Sequence, residues 1–136
     1  MSARRPADDS ALAQADLRQL VAAAADLCRK PLRHGVVLTS AADDPDCSLR
    51  LEARDPAAGR LHEQDLELEI YRSGIPPQAS LHLTLAWLHD DSRPMLWQGQ
   101  HPVWMDPHGQ RCDRPADGLS LEALARRLRA LLADLA

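Results

Sequence analysis

From Ala13 onward, Leu17, Leu20, Val21, Ala24, Leu27 and Cys28 recur at helical spacing and form one apolar stripe. Asp16, Arg18, Gln19, Asp26 and Arg29 fall on the opposite side. Asp9 or Ser10 can accept hydrogen bonds from the first free backbone amides, and Pro31 stops the run, so the pattern predicts a helix over 11–29. The period then changes to two. Val36–Thr39 is a short β-branched run after Gly35. In 47–54, Cys47, Leu49, Leu51 and Ala53 alternate with Ser48, Arg50, Glu52 and Arg54. In 65–71, Leu66, Leu68 and Ile70 alternate with Asp65, Glu67, Glu69 and Tyr71, which places the acidic side chains toward water. Setting these two segments as a hairpin with Arg54 opposite Asp65 and Arg50 opposite Glu69 matches opposite charges across the strands.

After a break at Ser73–Pro77, the stretch Leu81–Met105 holds all three tryptophans (Trp87, Trp97, Trp104) in a chain with one Tyr and no Phe. Leu81, Leu83, Leu85 and Trp87 share one face of a strand. The opposite face, His82, Thr84, Ala86 and Leu88, is partly apolar as well, as expected of a central strand. A helix through Leu81, Leu85 and Leu88 is the rival reading of the same run. Met95–Gln98 and Pro102–Met105 read as short strands. Asp106-Pro107-His108-Gly109 has the residues of a type I turn, with an edge segment at 110–112 after it. The last helix follows Ser120 as cap, with Leu119 stapled onto Leu124. Its Leu121, Leu124, Leu128, Leu131 and Leu135 repeat at alternating spacings of 3 and 4.

These elements predict an α+β fold: a mostly antiparallel sheet of five or six strands, with the N- and C-terminal helices packed on one face because both stripes need the same apolar surface. Residues 1–8 read as a flexible N-terminal tail and 9–136 as a single domain. At 136 residues such a domain buries about two-thirds of its unfolded surface.

Composition narrows the function classes. The net charge of −4 disfavours general nucleic-acid binding. Lys30 is the only lysine among 16 basic residues, which in a chain so rich in Ala and Leu fits a compositional bias rather than phosphate recognition. No apolar run reaches the length of a membrane span, and MSARRPADDS has no apolar signal core. With three widely spaced cysteines (Cys28, Cys47, Cys112), the expectation is a cytoplasmic protein with reduced thiols.

Candidate chemistry is sparse. Nucleophile elbows, glycine-rich phosphate loops and paired Cys-x-x-Cys spacings are missing from the sequence, and no cofactor is implied. His101, Asp106, His108 and Cys112 surround one turn and are the candidate metal or thiol site, the basis for an alternative reading as a small metal-dependent or thiol hydrolase. The preferred reading is a protein-binding module without enzymatic activity: an adaptor, a secretion-type chaperone or an immunity-like protein whose partner is another protein or a second copy of itself. Its contact residues would be Leu124, Leu128, Leu131 and Leu135 on the final helix and Glu67, Glu69 and Tyr71 on the sheet face. With 79–89 helical, Cys47–Tyr71 and the final turn and helix would resemble type III secretion chaperones in outline. That resemblance implies a homodimer that binds secreted partners without nucleotide.

Overall fold

The computed structural model describes residues 6–41, 44–75 and 80–133, with side chains described from Asp16 onward. The chain runs as α1 (Pro6–Cys28), β1 (Arg33–Leu38), β2 (Cys47–Asp55), β3 (Gly59–Arg60), a 3-10 turn (His62–Gln64), β4 (Leu66–Ser73), β5 (Ser80–Trp87), β6 (Met95–Gln98), β7 (Pro102–Met105), β8 (Arg111–Cys112) and α2 (Gly118–Ala133). The strands form one antiparallel sheet in the order β1-β2-β4-β5-β6-β7-β8, with β3 paired to β2. The α+β class and layer order are those expected. The sheet has eight strands rather than five or six, because two-residue ladders form at β3 and β8.

Period-two burial decides which side of the sheet is the core. Leu49, Leu51, Ala53, Leu66, Leu68, Leu83, Leu85 and Leu96 lose all exposure, and α1 and α2 cover them through Val21, Ala24, Ala25, Leu121, Leu124, Ala125 and Leu128. Leu81 and Trp87 at the two ends of β5 complete this inner face. Ser80–Trp87 is therefore strand and not helix, and the outline of a type III secretion chaperone does not hold: β5 is the middle strand of the path.

Several local expectations shift. α1 starts at Pro6, ahead of the capping residues read from sequence, and residues 1–5 of the expected tail lie outside the described residues. β1 starts at Arg33 because His34 turns inward, where its backbone N–H and its Nδ1 both bond Asp26 Oδ1, at 2.8 and 3.0 Å. The β2–β4 register is two residues off the charge-matched one, with Arg50 opposite Glu67 and Leu51 opposite Leu66. α2 starts at Gly118, not after Ser120. A Cβ at Gly118 would come within 2.8 Å of the Trp104 ring, so only glycine lets the helix begin against that indole. Ser120 consequently lies in the first turn, its hydroxyl donating to Asp117 O at 3.5 Å, and Leu119 is 61% exposed rather than stapled.

Candidate functional site

The turn after β7 forms as its residues dictate. Asp106 Oδ1 accepts from the amides of His108 (2.9 Å) and Gln110 (3.0 Å), and Gly109 takes φ +81°. One oxygen of this carboxylate is therefore engaged by the backbone. Cys112 pairs with Trp104 on the core side of the sheet, and burial pushes its thiol pKa up, away from the reactive thiolate. His101 instead lines a cavity at the β6–β7 turn, and His108 is exposed at the tip of its own turn. So His101, Asp106, His108 and Cys112 do not converge. Among the described residues, the one trio whose ligand atoms all lie within 4.8 Å of one another is His62, Asp65 and His89.

That trio belongs to a polar cluster where β2, β4 and β5 meet. Asp65, expected on the water face, is 1% exposed. It precedes β4 instead of belonging to it, so the alternation does not apply. Its Oδ1 accepts from the Ala53 amide at 2.7 Å and from Arg60 Nη1 at 2.9 Å; its Oδ2 accepts from Arg60 Nη2 at 2.9 Å and His89 Nε2 at 3.2 Å. Burial alone would raise the Asp65 pKa. Arg60, the Ala53 amide and His89 outweigh that and hold it down to about 2. The forked Arg60 contact engages both carboxylate oxygens, so Asp65 and Arg60 clamp the β2–β4 connection.

Next to it, Arg29 at the end of α1 is 5% exposed and donates to His34 Nε2 (2.8 Å) and Gln64 Oε1 (3.0 Å). With Nε2 accepting, the His34 proton sits on Nδ1 facing Asp26, and burial pushes the imidazole pKa down, keeping it neutral. Desolvation likewise lowers Arg29 to about 10. Trp87 closes this end, with the Arg93 guanidinium 3.7 Å and that of Arg29 5.8 Å from its ring centroid. Arg93 is in turn paired with Asp117.

The other face of the sheet presents a different surface. Tyr71, His82 and Trp97 form a diagonal aromatic row across β4, β5 and β6: ring centroids lie 5.2 Å apart at each step, and Trp97 Nε1 donates to Tyr71 Oη at 2.7 Å. Trp97 lies across Gly99, where an added Cβ would sit 2.5 Å from the indole. Around the row are Thr84, Ala86, Met95, Val103 and Met105, all partly or fully exposed, with Glu67 and Glu69 exposed toward β2. Both helices are on the opposite side, so no described element covers this face.

The remaining expected contacts divide between the two faces. Leu124 and Leu128 have no exposed surface, Leu131 is half-buried against the core, and Leu135 lies outside the described residues. The first two have no area to offer a second chain. Glu67, Glu69 and Tyr71 are on the open face. His62, Arg60, Asp65, His89 and the Arg29–His34 pair were missed, because only the register and the path of the loop between β3 and β4, which turns Asp65 inward, bring them together. The Arg-x-His-x-x-Asp spacing at 60–65 is the one local trace of the clamp in the sequence.

Fold and site together define a single-sheet α+β domain with both helices on one side and an aromatic row on the other, open side. Residues 18–131 match a family described as a domain of unknown function (DUF8659), and the chain belongs to that family. Comparison with curated proteins and with solved structures gave no match. Among the described residues, no helix is long and apolar enough to cross a membrane.

Proposed function

We propose that this protein is a binding module without enzymatic activity, that the open sheet face is its docking surface, and that the occupant is a second copy of the chain. The observation that carries the proposal is the Tyr71–His82–Trp97 row on a sheet face that no described element covers. Tyr, Trp and Met are enriched at interface centres, and a patch of them on an isolated domain marks an association site. Area supports self-association. At about 3.4 Å per residue and about 4.8 Å per strand, β1, β2 and β4–β7 project about 600 Å², comparable to the roughly 800 Å² per partner of a stable interface. Charge supports it too. Arg50 and Glu52 sit beside Glu67 and Glu69, so the face carries both signs and can complement itself about a two-fold axis. Three free thiols fit a reducing compartment, and we place the protein in the cytoplasm.

Sedimentation velocity over a dilution series tests this reading. The wild type is expected to dissociate reversibly from dimer to monomer. Met95→Glu and Ala86→Arg are expected to remain monomeric with unchanged circular dichroism. Met95 is 38% exposed, and an arginine at 86 would face Glu67 across the β4–β5 ladder, so neither change disturbs the fold. A wild type that stays monomeric throughout, or dimers that survive both substitutions, would overturn it.

A further inference from the structure

At the end of the sheet, the β6–β7 turn borders a half-open cavity of about 500 Å³, within the range of small-ligand sites. Trp97 and Val103 line it with apolar surface, and His82, His101, Arg111 and Arg129 line it with polar groups. Every titratable side chain lining it is of the basic type and none is a carboxylate, in a chain whose net charge is −4. Among the described residues, neither Arg111 nor Arg129 has a carboxylate within 4.0 Å. Arg129 reaches from α2 and donates through Nε to Leu81 O at 3.3 Å, which anchors its stem at the mouth. Among the described residues, its two terminal nitrogens have no protein acceptor.

The apolar lining is equally set. Trp97 is held by its bond to Tyr71, by stacking on His82 with 25° between the planes, and by Gly99 beneath it. His82 is fixed in turn, with Nε2 2.6 Å from Ser73 Oγ. A rigid indole beside two unpaired forked cations is complementary to a flat apolar body that carries a planar anion, since guanidinium matches carboxylate through parallel N–H···O bonds.

We propose that this cavity binds an aromatic or otherwise flat organic carboxylate, its apolar body against Trp97 and Val103 and the carboxylate between Arg111 and Arg129. The site shares His82 and Trp97 with the docking face but does not require the second copy. Phenylacetate is the probe, followed by amide and indole chemical shifts in the full chain, with phenylacetamide, acetate and inorganic phosphate in parallel. Phenylacetate is expected to move Gly99, His101 and the Trp97 indole N–H saturably. Phenylacetamide and acetate should bind at least about tenfold more weakly, because each lacks one half of the recognition. Arg111→Gln and Arg129→Gln should each weaken phenylacetate by about fivefold or more, and the effect of phenylacetate on Met95→Glu should match the wild type. A neutral amide that binds as well as the acid, phosphate that binds more tightly than phenylacetate, shifts centred elsewhere, or arginine variants without effect would each overturn the proposal. Failure here with an intact dimer would leave the docking proposal standing, and retained binding in a monomeric protein would do the reverse.

Discussion

Replacing Asp65 with asparagine removes the one buried carboxylate of the β2–β4 clamp and leaves Arg60 facing a neutral amide. Removing one partner of a buried ion pair costs about 3–5 kcal/mol. Arg60 keeps its bond to Ala53 O at 2.6 Å and lies 3.8 Å from Glu52, so the lower end, about 3 kcal/mol, is expected. That is a large part of the roughly 5–15 kcal/mol that stabilises a domain of this kind. The pH dependence is specific. Asp65 titrates at about 2 in the fold, against about 3.9 in an unfolded chain, so its carboxylate contributes about 2.5 kcal/mol. Because the folded value is the depressed one, that stability is fully present above about pH 5 and is lost as pH falls through about 2. Urea midpoints measured for wild type and Asp65→Asn between about pH 7 and about pH 2.5 should differ by about 2 M at the top and converge toward the bottom. A gap that stays constant over this range, or a variant within about 0.5 kcal/mol of wild type at neutral pH, would refute the assignment of Asp65 as a charged clamp.

The packing sets the outcome of four further substitutions. Trp87→Ala should lower stability by about 3–5 kcal/mol and His101→Ala by under about 0.5, read from urea midpoints, since Trp87 is 5% exposed beneath two guanidinium groups and His101 is on an exposed turn. Leu128→Ala, wholly inside the helix–sheet interface, should cost about 2–5 kcal/mol by the same assay. Gly99→Ala should push the Trp97 ring off His82, seen as a changed near-ultraviolet circular dichroism signal with far-ultraviolet signal retained, because a methyl there would lie 2.5 Å from the indole.

The strand faces were legible in the sequence because alternation and burial coincide: Leu49, Leu51, Leu66, Leu68, Leu83 and Leu85 all face inward as their spacing indicates. The register was not. Matching Arg54 to Asp65 by charge treats both as surface residues, whereas Asp65 has left the ladder to bond the Ala53 amide and Arg60. Surface ion pairs contribute too little to fix a register against one buried carboxylate. The leucine stripe of α2 shows the same limit: its period identifies a buried face, and Leu124 and Leu128 are buried by the protein's own sheet. His101 and Arg111 meet across a cavity, and Tyr71, His82 and Trp97 stack across three strands. Such groupings depend on strand order, which local periodicity does not contain.

Intermolecular nuclear Overhauser effects in a mixture of differently labelled wild-type chains test the docking face most directly. Cross-chain contacts are expected between the Met95 methyl and the Trp97 or Tyr71 ring, and are lost in Ala86→Arg. Cross-chain contacts confined to α2 or to the β1 edge, or none at concentrations where the protein is otherwise well folded, would contradict it.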